Sequence, residues 1–563
     1  MKKQHRGSIS LIAAVVVFVM CPAAPGRARG ATQDPPVAKT TTEPAGGEQQ
    51  SPDTTGKKAD ESNTKELSVT HREITVNGQT LRYTATAGYL EIKEESGQPK
   101  ADLFFVAYER DDRKNKGKWP LTFAFNGGPG AASVFLHLGA LGPRRIFLKD
   151  EGKNASPPYR LLDNEYTWLN FTDLVFVDPI GTGYSRPPSR PDSESGAGSG
   201  EKSGTTGHHA GARSGIDPKR FYSFREDINL AGDFIRLYVT RFGRWSSPKF
   251  IAGESYGATR AAELAGFLQD KVNLNLNGLV LISPALDFQT IMFNQGNDLP
   301  CSLFLPTYTA AAWYHKKLSP DLQSSDLPRL LKEAEGWAMN EYSLALLKGA
   351  ALSGSERDRV IEKLARYTSL SPTYISSHNL RISHIDFTRE LLRKEHRIIG
   401  LLDGRFEGPD PDAGQEYDEY DPSLFLVMGP FGAAMSDYVR NELKYVNDLQ
   451  YEVLNEEVNR SWNWGLGHHE GQGFTNVTAT LREAISKNKY LKVLIAAGYY
   501  DLTTPYFATD YTVSHLGLDP GLQGNVTIAY YDVGHQIYVH LPSLKKLTSD
   551  VANFMNTAFA LER

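Results

Sequence analysis

Two cysteines in 563 residues cannot build a disulfide framework, and Cys21 lies in a segment that reads as cleavable. Cys301 then stands alone, and a core of this size needs no covalent staple. No motif surrounds Cys301, so it reads as a small packed side chain and not as a nucleophile. Net charge is also scarce. A formal charge of −5 over the whole chain argues against nucleic acid as a bulk electrostatic partner. After the first thirty residues no window supplies the roughly 18 apolar residues of a membrane span. There is no H-E-x-x-H pattern. His468-His469-Glu470 has no third ligand in register, so a loop role is the better reading and no metal or other cofactor is expected. The acidic run around Asp410, Asp412, Glu416, Asp418, Glu419 and Asp421 lacks the ligand spacing and turn glycine of a calcium loop. No internal repeat is found.

What is present is ordinary globular composition, 40% hydrophobic and 23% charged, with a segmented layout. Lys2, Lys3 and Arg6 precede an apolar stretch from Ile9 to Met20, and Ala28-Arg29-Gly30 resembles a cleavage site. Residues 1–30 therefore predict a signal peptide and an exported protein, periplasmic or secreted, with no stable membrane insertion after cleavage. An uncleaved anchor is the competing reading. A lipoprotein route through Cys21 is disfavoured by the bulk of Met20. Residues 31–68 hold almost no large apolar groups and predict a disordered linker. Residues 187–217, rich in Gly and Ser, predict a flexible surface insertion; His208 and His209 lie within it.

Short apolar runs follow in order: Leu103 to Tyr108, Leu121 to Phe125, Leu174 to Asp178, Lys249 to Ala252, Leu279 to Ser283, Leu491 to Ala497 and Val526 to Tyr531. They suit parallel strands buried on both faces. Alternation from Leu81 to Ile92 predicts an opening hairpin. Helical periodicity separates several of these runs, with Ile228, Ala231, Ile235, Tyr238, Val239 and Phe242 on one face. The expected fold is α/β, a doubly wound, mostly parallel sheet. Its core would comprise residues 69–300 and 423–563. Residues 301–422 are helical in pattern, offer no convincing strand and predict a cap inserted over the sheet, with Ser355 the expected N-cap of a helix near Glu356 to Tyr367.

Four stretches carry chemistry. Gly253-Glu254-Ser255-Tyr256-Gly257 fits G-x-S-x-G, in which glycines leave room for a strained strand-to-helix turn that exposes the serine. A serine hydroxyl needs a base to become a nucleophile. His535 ends the late strand and its glycine, with His540 the local competitor. Asp501, just past another strand, is the acid that would fix the imidazole tautomer, with Asp532 the fallback. The order Ser255, Asp501, His535 is that of α/β-hydrolases. Asn126-Gly127-Gly128-Pro129-Gly130 follows a strand and supplies bare backbone for an oxyanion hole, completed by the N–H of Tyr256.

These stretches, with Asp178-Pro179-Ile180-Gly181-Thr182-Gly183-Tyr184-Ser185 and Gly534-His535, resemble the signatures of the serine carboxypeptidase family. The likeness covers roughly residues 70–300 and 423–560. It implies a triad of Ser255, Asp501 and His535, and oxyanion amides on Gly128 and Tyr256. It also implies that Asn126, Gly127 and Glu254 hold the terminal carboxylate of a peptide substrate with a free C-terminus. A protonated Glu254 would donate to that carboxylate where an ionised one would repel it, so binding should favour acid pH.

Two departures accompany the likeness. Well-studied members keep a Cys just after the Gly-Gly-Pro-Gly turn, where Ala131 stands here. Many place a second acid downstream to share a proton with the first, whereas Leu138-Gly139-Ala140-Leu141-Gly142-Pro143-Arg144-Arg145 has none. Arg144 and Arg145 are left either to supply that contact or to face solvent. The activity expected is removal of C-terminal residues through an acyl-enzyme on Ser255. An esterase or acyltransferase on the same scaffold is the alternative, because a fold and a triad do not fix the acyl group. A binding protein with a degenerate site is the non-enzymatic alternative. Oligomeric state has no signature in the sequence.

Overall fold

The computed structural model describes residues 67–113, 116–148, 156–187, 217–410, 420–465 and 473–559. The predicted signal segment, the predicted linker up to residue 66, residues 188–216 of the predicted insertion, the acidic run from 411 to 419 and His468-His469-Glu470 lie outside the described residues.

Nine strands form the central sheet of the described chain. β1 (Ser68–Val76), β2 (Gln79–Lys93) and β3 (Pro99–Arg110) run antiparallel. Then come β4 (Leu121–Phe125), β5 (Asp173–Val177), β6 (Lys249–Glu254), β7 (Gly278–Ile282), β8 (Lys492–Gly498) and β9 (Val526–Tyr531). The spatial order is β1-β2-β3-β5-β4-β6-β7-β8-β9, with every pairing from β5 to β9 parallel. The chain has the α/β-hydrolase fold, a large and mostly parallel sheet wound with helices.

Leu81 to Ile92 is not a hairpin, as its alternation predicts, but part of one long strand. The reversal comes earlier, at Asn77 and Gly78, whose φ values of 50° and 76° fit a two-residue turn joining β1 to β2. Only two of the nine residues of β1 are buried, which hides it from a search for apolar runs.

Residues one apart in the inner strands feed two separate cores, as the period of a strand requires. Val493 and Ile495 of β8 join Ile251, Leu279 and Leu281 against α1 (Phe224–Arg241), α2 (Tyr256–Phe267) and α8 (Thr478–Lys487). Leu494 and Ala496 join Phe250, Ala252 and Val280 against α7 (Pro422–Asp437) and α9 (Leu541–Phe559). Helix α1 begins where the Ser223 hydroxyl accepts from the Glu226 N–H, with Glu226 and Asp227 in its first turn and Arg241 in its last.

Between β7 and α7 the chain is largely helical: α3 (Leu299–Tyr314), α4 (Leu327–Trp337), α5 (Gly354–Thr368) and α6 (His384–Glu390). The cap of α5 is Ser353, not Ser355. Ser353 accepts from the Glu356 N–H while the Glu356 carboxylate returns to the Ser353 N–H, a reciprocal pair that Ser355 does not form. This region also holds a short antiparallel pair, Arg397–Ile399 with Glu407–Pro409, too brief to register as a strand in sequence. Cys301 is buried in α3, and burial pushes its thiol up to about 12, so it is no nucleophile. Among the described residues no helix is long and apolar enough to cross a membrane.

Candidate active site

Ser255 sits between β6 and α2 with φ 61° and ψ −126°, a conformation most side chains avoid. Backbone packs closely on every side of it. A Cβ on Gly257 would lie 2.4 Å from the Phe125 carbonyl oxygen. A Cβ on Gly127 would lie 2.6 Å from the Tyr256 nitrogen and 2.8 Å from the Ser255 Cβ. The glycine loop and the serine turn are therefore in van der Waals contact, and any side chain at Gly127 would close that gap. The Tyr256 ring turns away, its hydroxyl donating to Asp227 Oδ2 at 2.9 Å, a carboxylate shared with the Arg260 guanidinium. Asp178 of the Asp-Pro motif anchors the loop from behind, accepting from the Ser133 N–H and hydroxyl and from the Tyr451 hydroxyl.

His535 is 4% exposed and its Nδ1 lies 2.7 Å from Asp501 Oδ2. Asp501 is fully buried. Its Oδ1 accepts from the N–H groups of Thr503 and Thr504, and its Oδ2 accepts from the Thr504 hydroxyl. Burial alone would push the imidazole pKa down. The charge and hydrogen bond of Asp501, with the charge of Glu254, outweigh it and leave His535 raised. The two sequence competitors are elsewhere engaged: Asp532 is exposed, and His540 pairs with the Ser543 hydroxyl. Ser255, His535, Asn126, Gly127, Gly128 and Glu254 all line one pocket.

The two loops that carry Asp501 and His535 are held by a segment that sequence reasoning assigns only to the cap. The Leu402 carbonyl accepts from the His535 N–H at 2.6 Å, and the Asp403 carboxylate accepts from the Gly534 N–H at 2.8 Å. The Leu401 carbonyl accepts from the Leu502 N–H, and the Gly404 N–H donates to Tyr500. Arg405 grips Asp403 with two guanidinium nitrogens and donates to the Asp532 carbonyl at 2.9 Å. A local Asp-Gly-Arg string carries no signal of this, because apart from the Asp403–Arg405 pair every one of these partners is more than ninety residues away. Removing the carboxylate would strand a buried guanidinium and a buried N–H. Asp403→Ala is expected to cost about 3–5 kcal/mol of stability in urea unfolding and to lower kcat as the His535 loop loosens. An unchanged unfolding midpoint would dismiss the clamp.

Glu254 precedes the serine and is 4% exposed. Asn126 Nδ2 donates to its Oε1 at 3.0 Å, while Asn126 Oδ1 accepts from the Leu136 N–H, which fixes the amide orientation. Burial pushes the Glu254 carboxyl up to about 7, against the pull of His535, Tyr538 and Asn126 and with a push from Asp501. Neither arginine of the downstream stretch reaches it. Arg144 pairs with Asp163 and Glu442, and Arg145 forks onto Glu165. The pocket beyond is walled by Phe135, Leu401, Leu402, Leu424 and Leu454, with His384 from the cap.

A family model described as serine carboxypeptidase matches residues 76–548. A curated relative, serine carboxypeptidase-like 20 from Arabidopsis thaliana, is 28% identical over 215 residues, which are 37% of this chain and 34% of the relative. The pheromone-processing carboxypeptidase KEX1 of Arthroderma otae is 38% identical over 100 residues, 18% of this chain and 14% of the relative. The chain thus aligns with about a third or less of these relatives' own length. In structure it is similar to the crystal structure of a prohormone-processing carboxypeptidase from Saccharomyces cerevisiae, with a TM-score of 0.51 and 17% identity over 84% of this chain and 91% of that one. At that identity the likeness speaks to the fold.

Proposed function

The chain belongs to the serine carboxypeptidase family, and from that premise we propose that it is an exported enzyme that releases C-terminal residues from peptides through an acyl-enzyme on Ser255. The Ser255 hydroxyl attacks the scissile carbonyl carbon as His535 takes its proton. The oxyanion accepts from the backbone N–H groups of Gly128 and Tyr256, each such donor typically lowering the barrier by about 3 kcal/mol. Collapse breaks the C–N bond, and His535 passes its proton to the departing amine. Water then adds to the acyl-enzyme by the same route and regenerates the serine. Export rests on the character of residues 1–30.

One observation carries the peptidase reading: beside the nucleophile stands a buried carboxyl group held by Asn126 and Tyr538, and burial pushes it up to about 7. An ester or amide cleaved internally has no use for an acid there. A substrate ending in carboxylate does, because neutral Glu254, with Asn126 and Gly127, can donate to it at modest cost in proton uptake. The apolar walls favour a hydrophobic side chain beside the scissile bond. They would also accept an acyl chain, which keeps an esterase or acyltransferase as the second reading.

The test pairs a peptide bearing a free C-terminus with its amidated twin, products being read by mass. The free acid is expected to shorten residue by residue and the amide to resist. Equal cleavage would remove the exopeptidase reading. The pH profile has a definite sign. His535 must be neutral, so kcat/KM rises as pH climbs through its raised pKa. Glu254 must be protonated, so kcat/KM for the free acid falls again above about 7. The two groups face each other, so the limbs are macroscopic values of the pair. A flat profile from pH 4 to 8 would refute this.

A further inference from the structure

The carboxyl group of Glu254 is braced by a phenol. Tyr538, three residues past His535, donates to Glu254 Oε1 at 3.2 Å, the same oxygen that accepts from Asn126. Glu254 Oε2 is buried and has no hydrogen-bond partner among the described residues. The tyrosine ring owes its seat to Gly139. A Cβ there would lie 2.5 Å from the ring carbon Cδ2, so any other residue would push the ring off. Tyr538 is 4% exposed, and its hydroxyl keeps its proton, since burial and the adjacent Glu254 hold its pKa well above the usual phenol range.

We propose that Tyr538, seated on Gly139, is a positioning residue that fixes which oxygen of Glu254 meets the substrate's terminal carboxylate. The inference deepens the carboxypeptidase reading and rests on it. Two donors converge on Oε1, so that oxygen serves as the acceptor and the acid proton of neutral Glu254 occupies Oε2. Oε2 is the oxygen left for a ligand. A phenol differs from a second acid in this place: it carries no charge across the working range, so Glu254 titrates without a carboxylic partner sharing its proton. The titratable groups that act on Glu254 are His535 and Asp501 from the loops after β9 and β8, and Tyr538 from the turn before α9. Asn126 is the neutral contact from the loop after β4, and its backbone carbonyl accepts from Arg260 of α2.

The sign of the effect follows. A donor to Oε1 favours the ionised form more than the neutral one. Removing it raises the Glu254 pKa, and the acid stays protonated to higher pH. Tyr538→Phe keeps the ring on Gly139 and removes only the hydroxyl. The pH dependence of 1/KM for a free-acid peptide should then show its alkaline limb moved up by about one pH unit. On the acid plateau KM should rise several-fold, because one of the two groups orienting the proton is gone. The change should fall on KM more than on kcat.

A packing role alone predicts full rescue by Phe, with limb and plateau where they were; that result would overturn the proposal. So would a limb that moves down. Gly139→Ala tests the same contact from the other side by displacing the ring, and the same upward shift is expected. The wild-type protein separates the two levels of failure. If it cleaves the amidated twin equally well, the carboxypeptidase reading falls and the role of Tyr538 with it. If it discriminates and Tyr538→Phe leaves the limb in place, only the role of Tyr538 falls.

Discussion

Ser255→Ala is expected to lower kcat by about 10⁶, the scale seen when a serine nucleophile is removed from a unit in which serine and base act together. The same change should abolish labelling by a fluorophosphonate, which traps an activated serine. Some acceleration over water should survive, on the order of 10³–10⁴, because the proposed oxyanion donors, the glycine loop and the Tyr256 amide, are left in place. Fold should be unaffected, since alanine inherits the same backbone turn between β6 and α2 and the hydroxyl is the only group lost. The other hydroxyl lining the pocket, Thr503, donates to the Leu401 carbonyl, and Cys301 is buried with its thiol pushed up to about 12. A variant that keeps more than about a hundredth of the wild-type kcat would end the acyl-enzyme mechanism.

Asp501→Asn should cost about 10⁴ in kcat while leaving KM and the unfolding midpoint nearly unchanged. The hydrogen bonds dictate how the amide must sit. Oδ1 accepts from two backbone N–H groups, those of Thr503 and Thr504. The asparagine oxygen must take that position, because an amide nitrogen there would point hydrogens at hydrogens. The NH₂ then replaces Oδ2 and donates towards His535 Nδ1. A ring nitrogen that accepts cannot also carry the proton, so the imidazole hydrogen moves to Nε2 and faces the serine as a donor. The base is present but in the wrong tautomer. Residual activity should grow at high pH if hydroxide replaces the base. A loss of less than about tenfold would mean that another acid orients His535.

Much of the fold was legible because a strand buried on both faces must be apolar throughout and a helix must repeat near 3.6 residues. The run at Leu121 to Phe125 coincides with a strand buried at every residue, and the run at Val526 to Tyr531 with the far edge strand, which is apolar although only partly buried. β1 escaped because it is an edge strand with only two of its nine residues buried, and edge strands do not need apolar character. The cap residue of α5 was misplaced by two because Ser353 and Ser355 both precede an acid by three, and only geometry shows which carboxylate folds back.

Chain order alone assembled the candidate nucleophile, base, acid and oxyanion loop, because each is bound to a local necessity: a glycine where backbone crowds backbone, a polar residue at the end of an apolar strand. Contacts without a local necessity leave no local trace. Tyr538 meets Glu254 across 284 residues, and Asp403 meets Gly534 across 131. Nothing near any of the four demands its partner; the partner is whatever the closed sheet and its cap bring within hydrogen-bonding distance. Which side chain braces the carboxyl group beside the serine, and which segment holds the two loops of the acid and the imidazole, were decided only when the chain folded.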